Sequence, residues 1–458
     1  MATKPRCSNS RSAMRSEDGT GARRARRGSA HLIALCALTA VTLGACGGSN
    51  KNANVRMLNV SLGYSSLDMY ANKNSTSGDT ALDTAVGYET LTNYSSISGG
   101  TYEIKFRVDG NSGNLEDLTS ENLGDQSHTT YVAYGSSGNF STIRVSEDVG
   151  DQDSGKSGVQ VLNTAEAGAL DVYLTDSTTA LADVSPTFSS IASGSTGAST
   201  VLDKGTYRLR VTGAGNSSDL RLDVASITLS DQKNSTLILT STSGGVLVNA
   251  LYLPQQGSLT KYENTNARIR AAVGISDGNL VNVSVGGVSL LSSATPGVIG
   301  GTYSQLTAGS AAVNLTVDGN TVSVASQTLN AGADYTLLIW SNADGNQTTL
   351  ISDDNHIPTT SGKLKLRVLN GMSGLGDAIN FTANFSPVAE GIAVGQASTP
   401  EEITAGSNYE LDVTDATNGA SLLSKTSVSL NSADVFTLFI VGGGSATVIG
   451  SLHEDAGN

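Results

Sequence analysis

Cysteine, proline, tryptophan and charge are all scarce in this chain. Its 458 residues hold three cysteines, seven prolines and one tryptophan, Trp340, and charged residues make up 15%. Long hydrophobic runs are missing too. The stretch Leu32–Leu43 has about a dozen apolar residues, whereas a bilayer-crossing helix needs about 20, so it does not span. No segment after Cys46 sustains a 3.6-residue apolar period, which excludes a helical domain. Positive charge is the minority sign, with a formal net charge of −14. A polyanion repels nucleic-acid phosphates and anionic headgroups, which excludes nucleic-acid binding. What remains is rich in Gly, Ser, Thr, Asn and Val. Low charge, β-branched residues and frequent turn formers make the composition of an all-β exported protein.

The N-terminus carries an export signal. Arg23, Arg24, Arg26 and Arg27 precede the run Leu32–Leu43, and small residues close it, giving the charged, apolar and cleavage regions of a signal peptide. The closing stretch Leu43-Gly44-Ala45-Cys46 resembles the lipobox of bacterial lipoproteins. That resemblance implies cleavage before Cys46 and a lipid anchor, such as palmitate, on its thiol. Gly47 at the next position, rather than Asp, implies sorting to an outer membrane. On this reading residues 1–45 are the signal peptide and 413 residues remain, with Cys46 the sole cysteine. No intrachain disulfide, thiolate nucleophile or cysteine zinc cluster is then available. The discarded segment holds eight Lys/Arg and two Asp/Glu, so the remainder carries −20. The expected address is exported and membrane-anchored, at the outer membrane or cell surface.

Internal repetition decides the architecture. Three segments open alike: Val55-Arg56-Met57-Leu58-Asn59, Val159-Gln160-Val161-Leu162-Asn163 and Leu366-Arg367-Val368-Leu369-Asn370. A fourth, Ala267-Arg268-Ile269-Arg270-Ala271, fits the same alternation. In the first two copies the next strand begins Leu67-Asp68-Met69-Tyr70 and Leu170-Asp171-Val172-Tyr173. Each unit has a mid-unit glycine and strand, at Gly100-Thr101-Tyr102, Gly205-Thr206-Tyr207, Gly309-Ser310-Ala311 and Gly406-Ser407-Asn408-Tyr409. Apolar runs come near each end; Tyr335–Trp340 and Val435–Val441 are apolar on both faces and read as central strands. The spacing predicts four tandem Ig-like β-sandwich repeats after the signal peptide. They cover residues 55–149, 158–255, 266–354 and 363–455. Residues 46–54 form a flexible tether, and the polar stretches between units read as short linkers in a modestly flexible string of beads.

The opening V-x-V-L-N strand, the L-D-x-Y strand and the Gly-Thr-Tyr strand together resemble the bacterial repeat known as domain of unknown function 4397. That group occurs in exported and lipid-anchored proteins, often in tandem copies. The pattern is clearest around Leu58–Tyr70 with Gly100–Tyr102 and around Leu162–Tyr173 with Gly205–Tyr207. It is weaker in the third copy, at Arg270-Ala271 and Asn282, and in the fourth, where Asp377 and Asn380 are offset. The resemblance implies no activity and no catalytic residues.

Chemistry-bearing motifs are few. Gly150-Asp151-Gln152-Asp153-Ser154-Gly155-Lys156-Ser157 matches the phosphate-loop pattern, but a strand rather than a helix follows it. Asp151 and Asp153 would also repel phosphate. It reads as an inter-domain linker, with no nucleotide. The acidic groups Asp151-Gln152-Asp153, Asp109-Gly110-Asn111 with Glu116-Asp117, and Asp353-Asp354-Asn355 lack the terminal bidentate glutamate of a calcium loop and read as solvated turns. His128, His356 and His453 fall in predicted loops of different repeats and read as surface residues, with no metal site. No G-x-S-x-G elbow occurs. Tyr70, Tyr102, Tyr173, Tyr207, Tyr335 and Tyr409 recur at strand positions and read as core or corner residues with bonded hydroxyls rather than as a sugar platform.

These features predict a non-enzymatic, lipid-anchored envelope protein whose sandwiches act as an interaction or adhesion scaffold. Its ligand would be an envelope glycan or protein, and no cofactor is expected. A carbohydrate-binding lipoprotein is the alternative, and an envelope hydrolase with paired acids a further one. The one position given a chemical role is Cys46, with its lipobox neighbours Leu43, Gly44 and Ala45.

Overall fold

Each repeat opens on a strand that is buried on both faces. In Asn52–Asn59 every residue from Val55 to Asn59 is buried, so the strand has to be covered on two sides. A computed structural model shows how. It describes residues 51–73, 78–275, 279–358, 360–373, 378–442 and 448–457. The signal region and Leu43, Gly44, Ala45 and Cys46 lie outside the described residues, as does Asp377.

The opening strand runs parallel to the penultimate strand of its own repeat. Asn52–Asn59 pairs with His128–Tyr134, Lys156–Asn163 with Lys233–Ser241, Asn266–Val273 with Asp334–Asn342, and Lys363–Met372 with Val435–Gly442. A parallel pair cannot be joined by a hairpin, so the intervening chain crosses over and builds the second sheet. That sheet is antiparallel: Ser66–Lys73, Leu170–Thr175, Val281–Val285 and Ile379–Ala383 each pair with a mid-unit strand. Four apolar cores, one per repeat, fill the space between the sheets. The described residues therefore form tandem β-sandwiches.

The strand register corrects the third copy. Thr130, Thr236 and Thr437 lie opposite Arg56, Gln160 and Arg367, and the matching Thr336 lies opposite Arg270, not Arg268. The third opening is thus Ile269-Arg270-Ala271-Ala272-Val273, two residues later than the alternation suggested. The mid-unit strand of that repeat is also broken, into Gly309–Ala311 and Val313–Val317.

The repeated polar residues are structural. Asn59, Asn163 and Asn370 are fully buried. Each side-chain carbonyl accepts the backbone N–H two residues on, and each amide donates across the sandwich, to Val86, Ile191 and Ile392 respectively. The motif aspartates hold a β-bulge. Asp68 and Asp171 accept N–H groups of Ala85 and Ser190, while Asn282 and Asn380 accept those of Ser293 and Gly391. All four donors have positive φ, a conformation that needs such an anchor in a strand. Asn282 and Asn380 are therefore positional equivalents of the aspartates.

The string-of-beads expectation is overturned. From Asn50 to Asn458 the chain is one compact unit. The reason lies on the outer faces of the opening sheets. Leu58, Val60 and Val132 of the first repeat share an apolar cluster with Leu162, Ile238 and Leu251 of the second. Ala272 and Leu338 of the third do the same with Leu369 and Phe439 of the fourth. At that second seam the backbones nearly touch. A Cβ on Gly274 would stand 2.2 Å from the Gly371 carbonyl oxygen, so only glycine fits. The expected tether and linkers are partly strand. Asn52–Val55 pairs with Ser95–Ser98, Lys156 already belongs to the second opening strand, and Thr260–Tyr262 in the 255–266 stretch pairs with Ala250–Tyr252 of repeat 2.

Candidate functional site

The polar stretch Asp353-Asp354-Asn355 and His356, expected at the surface, is largely buried. Asp353 and Asn355 are fully buried, and His356 is 9% exposed. The Ile357 N–H donates to the Glu166 carbonyl at 3.0 Å, tying the connection between repeats 3 and 4 to repeat 2. Asn355 donates to Asp334 at 2.8 Å and to the Tyr303 hydroxyl at 3.0 Å. Composition cannot tell such buried polar residues from wet ones, because both are polar. What differs is that here the stretch is bonded to groups brought in from other strands and another repeat, Asp334, Tyr303 and Thr242.

His356 is held as a cation. Its Nε2 lies 2.8 Å from the Thr242 carbonyl and its Nδ1 2.7 Å from Asp354. Both neighbours only accept, so both ring nitrogens carry protons. Burial alone would lower the pKa. The hydrogen bond and charge of Asp354, the charge of Glu166 and the Thr242 carbonyl outweigh it and raise the pKa above 6.5. Burial likewise pushes the Asp354 carboxyl up, yet His356 and Lys365 hold it well below the usual carboxylate range. Lys365 Nζ sits 2.7 Å from the second Asp354 oxygen. Repeat 4, the connection and repeat 2 are thus joined through Lys365, Asp354, His356 and Thr242. A group whose folded pKa is raised stabilises fully below its unfolded pKa and loses that contribution as pH rises through the folded value. Unfolding midpoints measured from pH 5 to 9 are expected to fall above pH 6.5 in the native chain, with a smaller fall in His356→Gln.

Glu166 faces the same junction. It is 8% exposed, and its Oε1 is buried without a hydrogen-bond partner. It lines two cavities, both also bounded by Ile357 and Pro358. The smaller, of 360 Å³, also holds His356, Asp354, Lys365 and Glu402. The larger, of 550 Å³, runs between Tyr134, Asn139 and Phe140 of the first repeat and Ser193 of the second. Glu166 escaped the sequence reading because nothing in a turn after Asn163 marks it as convergent with residues 190 positions away.

A second constellation recurs with the repeats. Arg56, Arg270 and Arg367 each donate Nε to the threonine opposite, at 2.8, 3.0 and 2.8 Å. Each threonine hydroxyl donates to an acid on the last strand or just past it: Thr130 to Glu147, Thr336 to Asp353 and Thr437 to Asp455. In repeat 1 the ion pair closes within the repeat, with Arg56 Nη2 2.7 Å from Glu147. At the seam between repeats 3 and 4 the pairs are exchanged. Arg270 binds Asp455 at 2.6 Å, and Arg367 binds Asp353. Repeat 2 has Gln160, Thr236 and Gln255 at these positions and no charge. Burial would raise the Asp353 carboxyl, but Arg367, Arg270 and Thr336 lower it on balance. These acids are engaged by arginine and are not free for acid–base work. The near-constant spacing of threonine and acid, 17, 17 and 18 residues, is the signal the sequence carries.

The other expected residues are dispersed. His128 starts a strand and its Nδ1 contacts Asp148 at 2.9 Å. His453 lies in Ile449–Ala456 with its ring 5.5 Å from that of Phe439. Both are in strands rather than loops, since each continues an alternating ladder. Lys156 and Ser157 of the phosphate-loop match already belong to the opening strand, expected to begin at Gly158. Tyr102, Tyr173 and Tyr335 are buried. The Tyr102, Tyr207 and Tyr409 hydroxyls donate to the carbonyls of Ser98, Asp203 and Thr404 at 2.7, 2.8 and 2.6 Å, and Tyr70 donates to Asp68 at 3.3 Å. They are corner and core residues, not a platform. Among the described residues no three of His, Cys, Asp and Glu stand where they could hold a metal.

Fold and junction define a tandem β-sandwich protein in which buried polar sets, repeated at equivalent positions, fasten one sandwich to the next. The chain belongs to the family described as Domain of unknown function (DUF4397), whose model matches residues 53–173 and 267–377. Each match begins in an opening strand, traverses one repeat and ends early in the following one. No curated protein matches the chain. Among solved structures it is similar to a family CBM26 module, CBMbc from Eubacterium rectale Amy13K in complex with maltoheptaose. The identity there is 13%, over 46% of this chain and 96% of that one, with a TM-score of 0.15. It is also similar to a leucine-rich repeat protein from Bacteroides thetaiotaomicron VPI-5482, at 13% identity over 41% of this chain and 26% of that one, with a TM-score of 0.14. Likenesses at those TM-scores leave fold and ligand to be argued from this chain's own residues.

Proposed function

We propose that this is a non-enzymatic, lipid-anchored protein of the cell envelope, at the outer membrane or cell surface, whose four sandwiches act together as an interaction scaffold. The observation that carries the reading is the fastening of the repeats into one body, through shared apolar clusters, exchanged ion pairs and a buried connection. A catalytic array would need free convergent groups, whereas the most deeply buried acids are neutralised by arginine. A rigid head on a lipid presents its surfaces in fixed relation, which suits recognition of an envelope glycan or protein.

The anchor is tested at Cys46. In cells fed a labelled fatty acid, the native chain is expected to carry label and to sediment with membranes. Cys46→Ser is expected to lose the label and accumulate as precursor. Equal labelling of both chains would rule the anchor out.

A further inference from the structure

We propose that the larger junction cavity, bounded by Glu166, is a binding site for a short, uncharged saccharide. This deepens the envelope-ligand reading by naming a ligand class, and its test does not depend on the anchor. Four observations carry it. The volume of 550 Å³ lies in the range of about 300–1,000 Å³ typical of small-molecule sites. The lining mixes the rings of Tyr134 and Phe140, both half-buried, with the hydroxyl or amide groups of Asn139, Ser141 and Ser193. Rings cover the C–H surfaces of a sugar and the polar groups meet its hydroxyls.

Glu166 supplies the specific acceptor. A carboxylate that is 8% exposed with one oxygen buried and unpartnered is costly, and a ligand O–H donated to its accessible edge lowers that cost. The charges around it also select the ligand class. Lys365, Asp354 and His356 satisfy one another and face the smaller cavity together with Glu402, so Glu166 is the one charged residue lining the larger cavity. A hydroxyl donor therefore fits better than an anion, and the polar, ring-bearing lining favours a saccharide hydroxyl over a bare ammonium. The recurrent strand tyrosines play no part here, since they are turned into cores and corners.

Calorimetric titration of the full-length chain with glucose, N-acetylglucosamine and the β-1,4-linked disaccharide of each tests the proposal, with putrescine as a cationic ligand. At least one saccharide is expected to bind saturably. Glu166→Gln keeps the shape and should weaken that binding by about 10- to 100-fold, the loss expected for one buried charged hydrogen bond. Ala192→Trp, at an exposed residue of the cavity rim, should abolish binding while leaving the unfolding midpoint in place. Three results would overturn the proposal: no saccharide binding, unchanged binding in both variants, or putrescine binding more tightly than any sugar. Loss of sugar binding with normal fatty-acid labelling would refute the site and leave the anchor standing; the opposite outcome would do the reverse.

Discussion

Arg56→Gln is expected to cost about 3–5 kcal/mol of stability, and adding Glu147→Gln should restore most of that loss. Arg56 is 4% exposed and Glu147 2%, so the single variant strands a buried carboxylate. Glu147 would keep the Thr130 hydroxyl and the Gln256 backbone N–H as donors but would lose all three guanidinium hydrogen bonds. Uncompensated charge in such a site costs far more than the intact pair contributes. The double variant copies what repeat 2 already contains. There Gln160 and Gln255 flank Thr236 on the same sheet positions, and that repeat buries its own core without charge at this point. Urea unfolding of the native, single and double chains, fitted with a common slope, measures the difference. Equal loss in the single and double variants would mean that the packing of the arginine stem, not charge compensation, dominates the site.

The β class and the repeat period were legible because they rest on local signals: alternation, turn residues and a spacing of about 100 residues. The register of the third copy was not. A strand's side-chain pattern has period two, so the slip from Ile269-Arg270 to Ala267-Arg268 leaves every apolar residue on its correct face. In the other copies an asparagine after the leucine sets the register, and its cross-sheet hydrogen bond explains why it is there. The third copy has Val273 instead, so no marker opposed the slip. The junction was illegible for a different reason. Asp353, Asn355 and His356 form a polar run that looks like a linker, and only partners from Thr242, Asp334, Tyr303 and Arg367 make it interior. Such partners are set by how one sandwich docks on another, which no single repeat encodes.

Asp353→Ala should be the more disruptive change for the assembly, costing about 3–5 kcal/mol and also splitting the unfolding transition. Asp353 is fully buried. It accepts from Arg367, from Thr336 at 2.6 Å and from the Tyr303 hydroxyl at 2.8 Å. Its removal leaves Arg270 and Arg367 sharing Asp455 alone. The Arg56 pair sits within one repeat, but this set is exchanged across the seam, so its loss weakens the coupling of repeats 3 and 4 as well as the stability of either. Trp340 reports on that seam. It is the only tryptophan, it lies beside the apolar cluster shared by the two repeats, and its ring is close enough to Gly395 of repeat 4 that a Cβ there would stand 2.8 Å away. In the native chain, tryptophan fluorescence and far-ultraviolet dichroism should report one transition. In Asp353→Ala the fluorescence midpoint should fall to lower urea than the dichroism midpoint, because the seam opens before the sheets melt. Coincident midpoints in the variant would show that the shared apolar cluster around Leu338, Leu369 and Phe439 couples the two repeats without help from the exchanged pairs.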